Sequence, residues 1–263
     1  MALKLNVLSD KKGSNPGGVC QLSGFSGQPL NGYFKYCVAS QLPKSYPFRI
    51  ENQPIYEVMA SLFANKFGIR TPKNFVVEGQ GLVFEGINAQ KHVGRKNYFF
   101  SNLQPNPQTE IIDDRLGNLA GLDSIYLDAL LIGDYNRRQN QVYQDGHSSY
   151  VDVGCLRFAC ANEGILKDEA KGLELKFNKD IKKELYQLDR LNVSISGNGD
   201  SVNVRDFFDS IPNVEIPYMT ERGKIVRPLN QVISRDETEA IQGYLFQSFL
   251  NARKKFRDAQ LLK

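Results

Sequence analysis

The sequence predicts an α+β protein with a small antiparallel β-sheet and one helix, followed by a larger and mainly helical part. Short strand-like segments separated by turn residues dominate residues 1–87, whereas apolar residues at helical spacing dominate residues 88–263. Of the 263 residues, 41% are hydrophobic and 24% charged, which is typical of a chain with a folded core. We therefore expect two lobes, 1–87 and 88–263, within one domain overall.

The first forty residues predict a three-stranded antiparallel meander. Strand-like apolar residues occur in LKLNVL at 3–8, VCQLSGF at 19–25 and YFKYCVA at 33–39. Glycine, proline and asparagine residues separate these segments, as is typical of turns.

One helix and a further hairpin are predicted to complete the first lobe. IYEVMASLFANKFG at 55–68 carries apolar residues at helical spacing, and Gly68 stands where a C-cap glycine is common. NFVV at 74–77 and GLVFEGI at 81–87 alternate apolar residues across a Gly-Gln-Gly turn, which indicates a hairpin.

The second lobe is predicted to be mainly helical. A helical stripe of apolar residues runs through 112–134, and further helices are indicated near 165–190 and 236–260. NQVYQ and SYVDV flank an Asp-Gly turn and predict a short hairpin after the first of these helices. A glycine-, asparagine- and serine-rich break follows at 194–201.

Charge and composition disfavour several classes of function. The 33 Lys and Arg against 29 Asp and Glu leave a charge of +4, too little to indicate nucleic acid or an anionic membrane. No apolar run is long enough for a membrane span, and the N-terminus lacks the apolar core of a signal peptide, which predicts a cytoplasmic protein. Four scattered cysteines and two histidines disfavour a disulfide scaffold, a zinc site and a Ser-His-Asp site.

Two features of the predicted sheet are candidates for binding phosphate. GSNPGG at 13–18 could let backbone N–H groups approach phosphate oxygens, or it could be an ordinary hairpin loop. Lys35, if it faces inward, could hold nucleotide phosphates while Glu57 orients it through an ion pair. The alternative is a solvated lysine on an edge strand and a glutamate that favours the first turn of a helix.

The segment LLIGDYNRRQNQVYQDGHSSYVDVG at 130–154 gives the strongest chemical signal. It offers Asp134 in a polar loop, then Asn140, a short hairpin, and Asp152 between two valines. Phosphoryl transfer requires a carboxylate that accepts a hydroxyl proton, an amide oxygen that binds Mg²⁺ and a second carboxylate that joins the metal to phosphates. Each of these residues alone could instead form or cap a turn.

The order of these features resembles a protein-kinase-like fold, and in detail the HipA-like kinases, which are related in architecture to the phosphatidylinositol kinases. GYFKY, EVMASLFANKFGIRTP, GLVFEGI, IGDYNRRQN and YVDVG carry the resemblance, which spans roughly residues 13–155. It implies a β-rich nucleotide-binding lobe, a helical catalytic lobe, and ATP with Mg²⁺ in the cleft between them.

The resemblance also implies which residues contact ATP. They comprise the glycines of the phosphate loop, the strand lysine with its carboxylate partner, and the backbone that leads into the hinge between the lobes. In this sequence those positions are Gly17, Gly18, Lys35, Glu57, Glu85 and Ile87.

The remaining roles fall on the loop and hairpin of the second lobe. By resemblance Asp134 is the catalytic base, Asp152 is the main Mg²⁺ ligand and Asn140 is the second metal ligand. The kinase signature spaces its Asp and Asn five residues apart, whereas Asn140 is the sixth residue after Asp134. Either the loop holds one extra residue or Gln139 takes the metal position. Arg137 could neutralise the transferred phosphate or be solvated.

Three functions are compatible with these residues. The first is an ATP- and Mg²⁺-dependent kinase for serine or threonine hydroxyls of proteins, including its own, because HipA-like kinases mostly use that acceptor. The absence of a basic amphipathic helix disfavours a lipid acceptor. The second is a pseudokinase-like module that binds nucleotide or a partner without turnover. The third is an α+β interaction protein in which the motif order is coincidental. Action as a toxin in its own cell or as an effector in another cell stays open.

Overall fold

The computed structural model describes residues 2–10, 16–36, 49–66, 71–102 and 208–243, and the backbone of residues 141–144, 147–150, 192–194 and 201–203. The strands, in chain order, are β1 (Lys4–Asp10), β2 (Gly17–Ser23), β3 (Leu30–Lys35), β4 (Asn74–Glu78), β5 (Val83–Gly86), β6 (Asn97–Ser101), β7 (Gln141–Gln144), β8 (His147–Tyr150), β9 (Asn192–Ser194), β10 (Ser201–Asn203), β11 (Glu215–Thr220) and β12 (Gly223–Pro228). Eight of them form one mixed sheet, in the order β12-β11-β4-β6-β3-β2-β1-β5.

The predicted meander is confirmed. Strand β2 pairs antiparallel with β1 on one side and with β3 on the other. The register places Leu5 opposite Leu22, and both side chains are completely buried. The alternation of apolar residues along these strands therefore faces one side of the sheet, as the sequence predicts.

The predicted helix is also confirmed, as α1 (Gln53–Lys66), and a 3-10 turn at Ile50–Asn52 precedes it. Its apolar side chains at helical spacing, including Ile55, Met59 and Phe63, are buried. The helix packs across strands β4, β6 and β11. Gly68, the predicted end of the helix, lies outside the described residues.

The predicted hairpin over 74–87 is wrong, because its two strands do not pair with each other. Strand β4 lies between β6 and β11, whereas β5 pairs in parallel with β1 at the edge of the sheet. Four of the five β4 residues are buried, as suits an interior strand, and β5 is largely exposed, as suits an edge. Alternation across a short turn was compatible with a hairpin, but it does not specify the partner of each strand.

The sheet is also not purely antiparallel, and it extends beyond the predicted lobe boundary at residue 87. The pairs β1 with β5 and β4 with β11 are parallel. Strands β6, β11 and β12 all come from the chain after residue 87. Interior strand β4 needs a hydrogen-bonding neighbour on each side, and these later strands provide both.

The rest of the second lobe is described in part. The predicted hairpin around the Asp-Gly turn is confirmed by antiparallel strands β7 and β8. The break at 194–201 lies between antiparallel strands β9 and β10, which the sequence pattern did not predict. A helix, α2, is described over 235–243 and overlaps the first part of the segment predicted as helical at 236–260. The predicted helices over 112–134 and 165–190 lie outside the described residues. Among the helices in the described ranges, none is both long and apolar enough to cross a membrane.

The two faces of the sheet differ in what they hold. One face carries an apolar core that includes Leu5, Leu22, Phe34 and Phe100. The other face packs against α1. Because side chains alternate along a strand, Lys35 lies on the opposite face from Phe34 and turns toward the helix.

Candidate active site

The centre of the candidate site is a buried ion pair between the sheet and helix α1. The Lys35 ammonium nitrogen Nζ lies 2.7 Å from the Glu57 carboxylate oxygen Oε2. The two side chains are 6% and 3% exposed. This geometry confirms that Lys35 faces inward, and it excludes the solvated lysine on an edge strand that the sequence also allowed, because β3 lies between β2 and β6.

Local sequence explains why these two side chains meet. Lys35 is the last residue of interior strand β3, where it stands opposite Phe99 of β6 in the register. Glu57 lies one turn after the start of α1, on the face of the helix that packs against the sheet. The Lys35 ammonium also lies 5.0 Å from the centroid of the Phe99 ring, an additional cation–π contact.

A chain of buried hydrogen bonds fixes α1 against the sheet near this ion pair. The Ser61 hydroxyl donates to the Glu57 backbone carbonyl at 3.0 Å, and the Asn74 side-chain amide donates to the Ser61 hydroxyl at 2.7 Å. All three side chains are buried. Strand β4 therefore holds the helix turn that carries Glu57.

A row of side chains on the Lys35 face of the sheet extends away from the ion pair. The register places Val19 opposite Tyr33, and Tyr33 opposite Ser101. Tyr33 is two residues before Lys35 and so lies on the same face of β3. Val19 and Tyr33 are half-buried, and Ser101 is buried. The row offers an aromatic ring, a branched aliphatic group and a hydroxyl beside the buried ammonium.

The two predicted phosphate-loop glycines have a packing role in the structure. A Cβ atom on Gly17 would lie 2.1 Å from the Phe34 carbonyl oxygen, and one on Gly18 would lie 2.4 Å from the Ser9 carbonyl oxygen. Both glycines thus let β2 approach its neighbouring strands closely. Their predicted contact with nucleotide stays a prediction.

The structure does not bring Glu85 and Ile87 to the ion pair. Glu85 lies in edge strand β5, and both β1 and β2 separate that strand from β3. Its carboxylate pairs with Lys4 at 2.8 Å, and Ile87 is 52% exposed. The strands that flank Lys35 are β2 and β6, and β6 was not predicted as a strand from the sequence. Its aromatic sequence NYFFS was the available signal, since aromatic residues favour strands.

The predicted catalytic and metal-binding residues lie outside the described residues. They are Asp134, Arg137, Gln139, Asn140 and Asp152. The hairpin between them is described, and its first and last residues, Gln141 and Tyr150, are register partners. The chain therefore enters and leaves the hairpin at the same end. In sequence Asn140 and Asp152 stand within two residues of that end. Within the described ranges, no group of three or more His, Cys, Asp or Glu side chains could hold a metal.

A polar cluster that the sequence pattern did not reveal lies where β1 ends. The Asn88 side-chain amide donates to an Asp10 carboxylate oxygen at 2.6 Å, and His92 Nε2 lies 3.7 Å from the other. Burial lowers the pKa of His92, and the Asp10 charge partly opposes that shift. The Tyr36 backbone N–H donates to the Pro16 carbonyl at 3.1 Å. These contacts hold the chain on both sides of residues 11–15. Asn and Asp residues near strand ends were the available signal, and the left-handed backbone of Asn88 (φ 52°) suits that residue type.

Comparison with known proteins gives a structural similarity and no sequence family. No family model matches the sequence, and no curated protein matches it. The structure is similar to the crystal structure of a Helicobacter pylori proinflammatory kinase, CtkA, with a TM-score of 0.44 and 12% sequence identity. The alignment covers 97% of this chain and 98% of that chain. A similarity this low does not by itself establish a shared fold, so we infer the function from the residues.

Proposed function

We propose that this protein is a kinase that binds ATP with Mg²⁺ and transfers the γ-phosphoryl group to a hydroxyl. The observation that carries the proposal is the buried ion pair between Lys35 and Glu57. Taking two charges out of water is costly, and a well-packed apolar pair would be equally stable or more so. A buried pair of this kind therefore points to a role beyond stability.

The ion pair suits the binding of phosphates. Glu57 fixes the position of a lysine that has three N–H donors and a full positive charge. An ammonium held in this way can contact oxygens of the α- and β-phosphates while it keeps its contact with Glu57. The low dielectric around the buried ammonium strengthens that attraction relative to water.

The row beside Lys35 is the site that we propose for the nucleotide base, in place of the backbone at Glu85 and Ile87. Tyr33 offers a ring against which a purine can stack, and Val19 provides an apolar neighbour on the next strand. Ser101, the last residue of β6, stands opposite Tyr33 and adds a hydroxyl to this row. These groups lie along the same face as Lys35, so one nucleotide would contact both.

The catalytic step is proposed for residues of the second lobe. Asp134 would accept the proton of the attacking hydroxyl, while Asp152 and Asn140 would hold Mg²⁺ and Arg137 would face the transferred phosphate. Bound Mg²⁺ supplies neutralisation of the charge on the phosphates. By resemblance to the HipA-like kinases, the acceptor is a serine or threonine of a protein, including this one.

A second candidate is a nucleotide-binding module without turnover. The observation that favours it is the six-residue step from Asp134 to Asn140, one longer than the kinase signature. Such a module would keep the Lys35 and Glu57 pair and bind nucleotide, but it would transfer no phosphate.

Transfer of ³²P from γ-labelled ATP with Mg²⁺ tests the proposal, with the protein itself and myelin basic protein as acceptors. The wild type is compared with Asp152→Ala, Lys35→Met and the surface control Lys4→Met. We expect label in the wild type and in Lys4→Met, and none in the other two variants. Label that persists in Asp152→Ala contradicts the kinase assignment. No label in any protein, with ATP still raising the melting temperature, supports the binding module instead.

A further inference from the structure

The start of helix α1 is tied to the C-terminal helix α2 by a buried carboxylate. Glu237 of α2 has no exposed surface. The side-chain amide nitrogen of Asn52 lies 3.0 Å from each of its two carboxylate oxygens and donates to them. Asn52 immediately precedes the first residue of α1 and is itself buried.

The backbone of Glu237 is fixed at the start of α2. The Ser234 hydroxyl accepts a hydrogen bond from the Glu237 backbone N–H at 3.2 Å, as an N-cap residue does. Glu237 therefore belongs to the first turn of its own helix, while its carboxylate holds the residue that leads into α1.

A second element fixes the same segment from the sheet. The side-chain amide of Asn97, in β6, donates to the Glu51 carbonyl at 3.0 Å. The entrance of α1 is therefore held from two sides, by β6 and by α2. Glu57 follows Asn52 by five residues, about 7.5 Å along the helix axis. Because a helix turns as a rigid unit over that distance, a rotation at Asn52 moves the Glu57 carboxylate relative to Lys35.

We propose that Glu237 is a positioning residue: the hydrogen bonds that its carboxylate accepts from Asn52 set the orientation of α1 and so keep Glu57 on Lys35. The proposal rests on the proposed function, since it gives the C-terminal segment control over the phosphate-binding lysine. Glu237 touches neither the nucleotide nor the reacting atoms. Its effect passes through Glu57.

The first test is the affinity for Mg·ATP, measured by titration calorimetry on the full chain at a temperature where every variant is folded. Glu237→Gln places an amide against the Asn52 amide and removes an acceptor, so we expect binding to weaken about tenfold, within the range of couplings between contacting residues. The exchanged pair Asn52→Asp with Glu237→Gln restores one donor and one acceptor and should recover most of the affinity. Arg235→Ala is the matched control, because it breaks only an exposed pair with Glu239 in the same helix.

The effect of Glu237→Gln in a Glu57→Gln background distinguishes a positioning role of Glu237 from a general effect on stability. In a Glu57→Gln background, Glu237→Gln should weaken Mg·ATP binding by less than about twofold, because the group through which it acts is gone. Equal losses in both backgrounds overturn the proposal. So does an unchanged affinity in Glu237→Gln with only a lower melting temperature. If Glu237→Gln does not fold, Asn52→Ala replaces it, since that variant leaves the α2 cap intact.

Amide hydrogen exchange over residues 53–66 tests whether Glu237 orients α1, independently of whether the protein binds Mg·ATP. If the wild type binds no Mg·ATP, the proposed function fails, and exchange alone decides whether Glu237 orients α1. Faster exchange in this segment in Glu237→Gln, but not in Arg235→Ala, supports the positioning role. Equal exchange in the two variants overturns it.

Discussion

Two lysine–glutamate pairs each include a lysine from a strand of the same sheet, and they differ most in how far water reaches them. Lys35 and Glu57 meet at 2.7 Å with side chains 6% and 3% exposed, and Lys4 and Glu85 meet at 2.8 Å with both side chains 48% exposed. An exposed pair is screened by water and salt and contributes up to about 1 kcal/mol. A buried pair is screened much less, and removing one partner leaves the other charge buried and uncompensated.

The surroundings of the two pairs determine which lysine in this fold can bind a phosphate. The exposed pair joins edge strand β5 to β1, where water supplies alternative partners for both groups. The buried pair joins an interior strand to a helix whose orientation is fixed from two sides. Of the two, only the buried pair presents an ammonium that is held in place and poorly hydrated, which is what binding a phosphate requires.

Phosphoryl transfer should show the largest difference between the two pairs. Lys35→Met removes the phosphate-binding charge, and we expect the rate of label transfer from ATP to fall about 10³-fold or more, as when other groups that neutralise transition-state charge are lost. Lys4→Met should retain the wild-type rate. Equal rates in the two variants would show that the buried lysine plays no part in transfer.

Stability should show the next largest difference. Lys35→Met removes the ammonium that faces the buried Glu57 carboxylate and should lower the free energy of unfolding by about 3–5 kcal/mol in urea denaturation. Replacing both groups, in Lys35→Met with Glu57→Met, should recover most of that loss because no charge is left buried. Lys4→Met should change stability by less than about 1 kcal/mol. A double variant less stable than Lys35→Met alone would contradict this reasoning.

The binding site of the nucleotide base should also distinguish the two regions of the sheet. Tyr33 lies on the face of the buried pair and Ile87 lies beside the exposed pair. Loss of a stacked aromatic ring costs about 1–3 kcal/mol per base, so Tyr33→Ala should weaken ATP binding about 5- to 150-fold. Ile87→Ala should leave the affinity within about twofold. The reverse ranking in calorimetry would restore the base contact that the sequence predicted at the edge strand.

The smallest expected effect is a pH dependence at Glu237. Burial raises the pKa of this carboxyl above its usual range, although its hydrogen bonds to Asn52 and to backbone N–H groups oppose the shift. The folded state therefore holds the Glu237 proton more tightly than the unfolded state does. That contribution to stability is complete below the pKa of the unfolded chain and is lost as the pH rises through the folded pKa.

Urea denaturation of the wild type and Glu237→Gln at several pH values checks this sign. The stability advantage of the wild type over the variant should narrow as the pH rises from about 4 to about 8, because only the wild type titrates at this position. An advantage that widens with pH would mean that the fold favours the charged carboxylate.

Local pattern predicted the parts of the fold that local forces determine. Alternation predicted the meander β1 to β3, and helical spacing predicted α1 with its buried Ile55 and Met59. The pairing of β5 with β1 and of β11 with β4 depends on contacts between distant segments, which no local spacing encodes. The hairpin over 74–87 was predicted wrongly for that reason.

The residues of the candidate site likewise comprise some that local sequence predicted and others that depend on contacts between distant segments. Lys35 and Glu57 were identified because a strand lysine followed by a helix carboxylate can form an ion pair that holds nucleotide phosphates. The base contact was expected at Glu85 and Ile87 because GLVFEGI resembles a hinge strand, but that segment forms edge strand β5, and the strands that flank Lys35 are β2 and β6. Glu237 was not found, because its partner Asn52 stands 185 residues away in the sequence.

Calorimetric titration with Mg·ATP tests whether the buried ion pair binds the nucleotide. It compares the wild type with two double variants, Lys35→Met with Glu57→Met and Lys4→Met with Glu85→Met. The two double variants remove equal charge, one from the buried pair and one from the exposed pair. We predict that the wild type and the Lys4 and Glu85 variant bind Mg·ATP equally well, while the folded Lys35 and Glu57 variant does not bind. Binding that survives loss of the buried pair, or absence of binding in all three proteins, would contradict the proposed role of Lys35 and Glu57.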